Sequence, residues 1–432
     1  MERYDSYKDS GVKWLGEIPS HWEVLSLKHI LKLKKDVVGK QSSQYDLLSL
    51  TLKGIIKRDM DNPEGKFPAS FDTYQVVEPN DFIFCNFDNE ETPRAVGLSS
   101  YKGMITGAYD VLCRKNAKFS DKFLIYYFLY IDDAKRFKPL YKGLRKTVPF
   151  DSFMSYKIPV PSMKEQNAIV TYLDATTSKI DEAIAQQQKM IDLLNERKQI
   201  IINHAVTKGL DPNVKMKPSG VDWIGDIPEH WEMRKLGTIG STINGVSHDS
   251  SYFGEGYPFV SYSDVYKNYS LPMFVSGLAK SSKQERRFFS VERGDVFFTR
   301  TSETAEEIGF TSTCIETIPN AVFAGFLIRF RPNVDLLDPN FSKYYFRAHI
   351  HRSYFVKEMN LVIRASLSQQ LLKGLPILLP PIQEQSAIAS YLDGKINEID
   401  LCLKNKTKQI SLLQERKQII INDVVTGKIK VV

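Results

Sequence analysis

Two long stretches of the chain place apolar residues every seven positions. In the first, Leu173, Ile180, Gln187, Leu194 and Ile201 share one heptad position, and Thr177, Ile184, Ile191, Lys198 and Ala205 share its partner. In the second, Leu392, Ile399, Lys406, Leu413 and Ile420 alternate with Ile396, Leu403, Ile410, Lys417 and Val424. A period of seven sustained this long predicts two helices of roughly 40 residues, about 60 Å each. Their apolar positions form a common seam, so the helices are expected to pair with each other. Gln187 and Lys406 occupy matching seam positions, where they weaken the contact; they set register or lie beneath another protein. Each helical stretch follows a proline stop, "KIPVPSMKEQNAI" and "LPILLPPIQEQSAI". Prolines 159 and 161, and 376, 380 and 381, suit an extended lead-in rather than a helix interior. Ser162 and Glu165 have the spacing of a helix-capping box.

The chain also repeats its wording. "SGVKWLGEIPSHWE" (Ser10–Glu23) returns as "SGVDWIGDIPEHWE" (Ser219–Glu232), and these two phrases hold all four tryptophans. "EQNAIVTYLD" returns as "EQSAIASYLD", and "LLNERKQIIIN" as "LLQERKQIIIN", both 219 residues later. That period is too long for a solenoid repeat of about 20–50 residues and indicates a duplicated domain with its connector. The phrases recur at an offset of 209, so the second intervening region is longer by a net ten residues. The inserts share little sequence, yet both read as strands, then an aromatic helix, then a basic turn leading to the proline stop. The fold class expected is α+β, with a first insert domain at 1–160, a first helix at 161–208, a second insert domain at 209–379 and a second helix at 380–432. Two such helices that recur head to tail and pair antiparallel would give the chain a pseudo-twofold internal repeat, with the inserts at opposite ends.

Composition adds a bias. Between Val24 and Val160 there are 22 Lys/Arg against 16 Asp/Glu, and between Met233 and Leu379 there are 17 against 13. The remainder carries 19 against 22, so the inserts hold all of the excess positive charge. Positive inserts suit an anionic polymer, although excesses of this size also occur in ordinary domains. At 42% hydrophobic and 25% charged residues the chain has ordinary globular composition. No apolar run approaches the roughly 18 residues needed to cross a bilayer. The N-terminal "MERYDSYKDS" reads as neither signal nor transit peptide. Cys85, Cys113, Cys314 and Cys402 are scattered without a CxxC, which points to a reducing, cytoplasmic setting.

Candidate chemistry is confined to a few clusters. The turns "KGLRKTVPFDSF" and "NLVIRASLSQQLL" set Arg145 and Lys146, or Arg364, Ser366 and Ser368, near one another. Arg300, Thr301 and Ser302 follow the strand-like "GDVFF", and Arg94 lies in "ETPRAVG". Arginine can read a guanine edge or a phosphate, and hydroxyls suit phosphates or either base; taken singly, most exposed cations are merely solvated. The aromatic helices are expected to pack module cores. "FGEGY" at Phe253–Tyr257 lacks the spacing of a cofactor loop and reads as a turn. His349 and His351 form a bare HxH with no Cys or clear acidic partner, so no metal site is expected. The chain has no GxxxxGK[ST] loop, NPPY-type tetrapeptide, PD…(D/E)xK start, HExxH or GxSxG, which points away from catalysis.

The two "GxxWxGxIPxHWE" phrases, the proline-"EQxAIxxYLD" segments, the paired "LLxERKQIIIN" helices and the run "GDVFFTRTS" together resemble the specificity subunit of type I restriction–modification systems. The resemblance spans essentially the whole chain. It implies two target recognition domains, each reading half of a split sequence in double-stranded DNA, separated by two antiparallel coiled-coil helices that set the spacing. It further implies a non-catalytic subunit that docks two methyltransferase subunits and further restriction (translocase) subunits. No cofactor is expected on this chain; S-adenosylmethionine, ATP and Mg²⁺ would sit on the partners. The first insert lacks the "FTRTS" run, so its DNA contacts are harder to place. A coiled-coil scaffold with two protein-binding inserts and a self-sufficient nuclease or methyltransferase are the competing readings. The shared Trp residues are expected to be buried anchors, since inserts that read different bases both carry them. If the helices are the spacer, a heptad added to each lengthens the gap between the two halves of the methylated motif. Sequencing of methylated host DNA measures that gap, and an unchanged gap refutes the spacer role.

Overall fold

The computed structural model describes residues 2–60, 68, 70–302, 308–333, 335–358 and 365–431. The two heptad stretches form continuous helices, Met163–Lys208 and Ile382–Val425. The chain divides into two compact units, residues 1–188 with 408–432 and residues 189–407, so the division passes through both long helices.

In the first unit, Leu173, Thr177, Ile180, Ile420 and Val424 are buried, and Ile184, Gln187, Ile410, Leu413 and Lys417 are half-buried. In the second, Ala205, Leu392, Ile396 and Ile399 are buried, and Ile191, Leu194, Lys198, Ile201, Leu403 and Lys406 are half-buried. Within each unit the helices run antiparallel. In the first, the start of one helix at Glu165 and the Gly427 end of the other both meet Trp22, and further along Asp181 bonds Lys417 at 2.7 Å. In the second, Glu384 meets Gly209, and Asp400 bonds Lys198 at 2.7 Å. These two ion pairs join the same repeat positions, Lys198 with Lys417 and Asp181 with Asp400. Each contributes only about 0.2–1 kcal/mol at such exposure, but a slipped register would leave both lysines facing the seam unpaired.

Both inserts carry the same sheet. In the first, antiparallel strands lie in the order Leu31–Lys34, Asp110–Arg114, Phe82–Phe84, Val96–Leu98. In the second the order is Gly240–Asn244, Leu327–Pro332, Val296–Thr299, Thr311–Thr313. In chain order both read first, fourth, second, third. The aromatic helices Asp121–Asp133 and Pro339–Tyr345 then pack the cores, burying Phe123, Tyr127 and Phe128, and Phe341 and Tyr345. Each insert is closed at its base by antiparallel pairing of its first and last strands. Glu23–Ser26 pairs with Lys157–Val160, and Glu232–Lys235 with Pro376–Leu379. The proline lead-ins are therefore strands of two-stranded ribbons, where proline costs least.

One expectation is corrected here. "FGEGY" is not a free turn but the start of the strand Phe253–Val260, which pairs with Gly277–Ala279 across a register shift between Phe253 and Tyr257. Gly254 and Gly256 hold φ of +104° and +107°, so the glycines form a bulge that bends the strand instead of ending it.

The seam makes a stability contrast. Leu392→Ala, at a fully buried site, is expected to cost about 2–5 kcal/mol. Ile200→Ala, on an exposed face of the first long helix, is expected to cost under about 0.5 kcal/mol. Urea unfolding of the two variants measures both.

Candidate nucleic-acid interface

The repeated phrases form a clasp at the base of each insert. Trp22 and Trp231 are wholly buried. The Trp22 indole donates to Glu165 at 3.2 Å, and the His21 ring donates to the same carboxylate at 2.7 Å. Trp231 and His230 bond Glu384 at 3.1 and 2.8 Å. Glu165 also completes a capping box, accepting from the Ser162 amide while its own amide donates to the Ser162 hydroxyl. The long helices end under these tryptophans. A side chain at Gly427 would lie 2.5 Å from Pro19, and one at Gly209 would lie 2.9 Å from Glu384. Both glycines also have left-handed φ, +75° and +77°, which favours glycine at each, and at Gly427 the Pro19 ring adds a steric demand.

The next residue of each "EQ" pair reaches into the insert. The Gln166 side-chain carbonyl accepts from the amide of Ser120 at 2.8 Å, and Ser120 caps the helix Asp121–Asp133. Gln385 accepts from Asp338, the cap of Pro339–Tyr345, at 2.8 Å. The closing Asp of each segment holds the same insert helix. Asp174 bonds Lys122 and Tyr126 at 2.8 and 2.7 Å, and Asp393 bonds Lys343 and Tyr344, each at 2.6 Å. Nothing local in the sequence marks these roles; only the recurrence of E, Q and D at fixed spacing in two otherwise unlike halves hints at them. The expectation for the tryptophans holds for one of each pair. Trp14 is 42% exposed and stacks on Tyr156, and Trp223 is half-buried against His351 and Tyr354.

The sequence-selected cations fall into three environments. Arg94 is half-buried and bonds Asp133 at 2.8 Å and Asp132 at 3.4 Å, tying its loop to the end of an insert helix. Arg145 and Lys146 lie on an exposed turn closed by a bridge between Lys142 and Thr147. Its tip, Leu144, is fully exposed. Arg145 bonds Asp88 at 2.6 Å, and Lys146 bonds Glu90 at 2.6 Å. Hydrogen bonds from Lys138 and Lys146 pull the Glu90 carboxyl down to about 2. A phosphate would therefore compete with two carboxylates at this turn.

Arg300 stands at the end of the sheet strand Val296–Thr299. Its amide donates to Phe326 at 2.9 Å, and its carbonyl accepts from Leu367 at 2.8 Å. Upstream, Asp295 of "GDVFF" holds Arg331 at 2.6 Å and fixes the strand's start. Arg300 lines a cavity of about 710 Å³ with Asn244, Ser247, His248, Tyr262 and Phe326. Its guanidinium has no ion pair among the described residues, and the Asn244 side-chain oxygen is buried without a partner. Asn244, His248 and Phe326 were not singled out from the sequence. In the first insert Asn86 takes the place of Arg300: its carbonyl accepts from Val148 at 2.7 Å, and its side chain donates to Asp110.

Thr301 and Ser302 pair through their backbones with Ser366 and Ala365; their side chains, and that of Ser366, lie outside the described residues, as does all of Arg364. Arg364 stands three residues before Leu367, as Arg145 stands three before Val148. Ser368 caps the helix Gln369–Gly374. His351 is buried and donates to the Tyr345 carbonyl at 2.9 Å, and desolvation lowers it to about 4. Among the described residues no group of three or more His, Cys, Asp or Glu could hold a metal ion, and no helix is long and apolar enough to cross a membrane.

The model of the type I restriction modification DNA specificity domain family matches residues 101–191 and 228–412, more than half of the chain. The chain belongs to this family. Over 98% of its length it is 28% identical to the Methanocaldococcus jannaschii protein named for the type I restriction enzyme MjaX specificity subunit, covering 98% of that protein. It is 21% identical to the Escherichia coli type I restriction enzyme EcoKI specificity subunit, with 96% of this chain and 90% of that one aligned. A solved structure from work on complex assembly and conformational transition of the type I R-M system superposes with a TM-score of 0.70 at 16% identity. That superposition covers 95% of this chain and 99% of the other, so the fold of that structure extends over nearly all of the chain.

The clasp carries a pH signature. Burial pushes the Glu165 carboxyl up, but hydrogen bonds from His21, Trp22 and Ser162 outweigh it and hold the group below its usual 4.5. A carboxyl depressed in the folded state contributes stability above its unfolded value, and that contribution is lost as pH falls through the folded value. Acid unfolding of the wild type should therefore steepen below about 4.5, and Glu165→Gln should flatten that segment. At neutral pH, Glu165→Ala leaves the buried Trp22 indole unpaired and is expected to cost about 1–3 kcal/mol. Denaturant titrations followed by tryptophan fluorescence test both effects.

Proposed function

We propose that this chain reads a split target in double-stranded DNA, one half with each insert, and carries the partner subunits that act on that DNA. The single observation that carries this reading is the second insert's Arg300. A strand end locked by hydrogen bonds on both sides sets Arg300, which has no ion pair among the described residues, in the wall of a cavity beside Asn244, His248 and Phe326. A planar donor fork held on a rigid element is the chemistry of base-edge recognition. The shared sheet with unlike loops supports two readers of different half-sites. The first insert presents Arg145 and Lys146 on an exposed turn, and carries Asn86 where the second has Arg300.

The long helices support the docking role. Leu193 and Ile200 on one, and Leu412 and Ile419 on the other, are exposed apolar residues at equivalent repeat positions. Two methyltransferase subunits would cover these stripes, with restriction subunits joining the assembly in the cytoplasm. S-adenosylmethionine, ATP and Mg²⁺ would be bound by those partners, and this chain would direct their chemistry without a catalytic residue of its own.

The test is the methylated motif of cells that carry the chain with its methyltransferase partner. Arg300→Ala is expected to relax or change one half of that motif and leave the other half as it was, with a loss of about 1–3 kcal/mol for the cognate base. An unaltered motif removes Arg300 from base reading. A wild-type complex that binds all duplexes alike overturns the function itself.

A further inference from the structure

We infer that the short helix Lys283–Phe288 of the second insert clamps the phosphate backbone of duplex DNA, with Lys283 and Arg287 as the contacting cations. The inference rests on the DNA-reading function proposed above and adds a surface that neither the sequence motifs nor the family match singles out.

The helix is fixed to the Arg300 cavity. Its Glu285 accepts from His248 at 2.7 Å, and His248 is one of the residues lining that cavity. Just before the helix, the Lys280 amide donates to Tyr252 at 2.9 Å. Just after it, Phe289 packs edge-on against Phe323 with ring centroids 6.1 Å apart. A reciprocal capping box between Ser282 and Glu285 holds the first turn. The helix is therefore tied to a lining residue of the cavity rather than standing as a loose loop.

Charges around the helix are sorted by what they touch. Glu285 is engaged by the Ser282 amide at 2.7 Å and by His248. Arg286 turns inward, over the Tyr257 ring at 3.6 Å and onto the Ser281 carbonyl. Lys280 bonds Glu255 at 2.8 Å. Lys283 and Arg287 remain, exposed and without an ion pair among the described residues. Four residues apart, they share one face of the helix. Exposed cations on long side chains lack the fixed geometry of base readout, but they suit phosphate, where charge alone positions the duplex. Arg300 in the cavity would then read while the helix holds register.

The experiment uses the full chain with its methyltransferase partner, and duplexes with and without the motif methylated in the host. Affinities are measured between about 50 and 200 mM salt, where phosphate contacts dominate the salt dependence. For Lys283→Ala with Arg287→Ala, binding to both duplexes should fall roughly a hundredfold at the low-salt end and roughly tenfold at the high-salt end, the log–log salt slope becoming shallower by about 2. The methylated motif should stay as it was, and Lys283→Arg with Arg287→Lys should restore the slope. An unchanged slope overturns the clamp, as does a changed motif, which would make the helix a base reader. Failure of the wild-type complex to prefer the motif duplex would instead strike the DNA-reading function, so the two failures are distinguishable.

Discussion

A glutamate carboxylate that accepts a hydrogen bond from a buried indole is the contact on which each half of this molecule depends. Glu165 with Trp22, and Glu384 with Trp231, join three parts of the chain: the repeated phrase, the first turn of one long helix, and the last turn of the other. An aromatic side chain of this size dominates the local burial, and its N–H must find an acceptor once water is excluded. Glutamate in the first helical turn supplies that acceptor where the helix itself favours negative charge. The glycines at the helix ends then let the opposite terminus close over the ring. The neighbouring Gln and Asp extend the grip into the insert, holding the cap and the body of its aromatic helix. A ten-residue segment thus fixes an insert of well over a hundred residues at three points.

This arrangement separates what is held constant from what can vary. The frame side of each insert is a two-stranded ribbon, a clasp and a shared sheet order, all present twice. The far side differs: a bulged strand and a cavity in one insert, short hairpins and an acid-paired basic turn in the other. A protein that must recognise two unlike short sequences with one scaffold needs such a division, because base-edge contacts are short-ranged and demand rigid support. The duplicated Lys–Asp ion pairs along the helices add little stability, yet they favour one register of the seam.

Much of the frame was legible in the sequence because its signals are local. The seven-residue period, the prolines ahead of each helix and the Ser162–Glu165 spacing each act within a few turns of chain. The site was less legible because its deciding contacts are distant. Arg94 looks like any exposed arginine until Asp132 and Asp133, nearly forty residues on, take up its guanidinium. Trp14 and Trp22 belong to one phrase, and only the fold shows that one is a core anchor and the other a half-exposed lid on Tyr156. "FGEGY" has the glycine content of a turn, but the strand Gly277–Ala279 converts it into a bulge. Arg300 was recognisable as a candidate from the strand before it, whereas Asn244, His248 and Phe326 meet it only through the folded sheet.

The division of both helices between the two compact units bears on how the chain is made. Residues 189–407 contain everything the second unit uses, so that unit can close once the ribosome has passed them and they have emerged. The first unit takes its last helical turns from 408–432, which are synthesised only after all of the second unit. Its insert emerges before the second unit and is completed after it, holding the apolar face of Leu173 and Ile180 open in the interval. Domains that fold one after another from the N-terminus avoid such a wait; here the N-terminal half must be sheltered or reversibly collapsed until the C-terminal helix arrives.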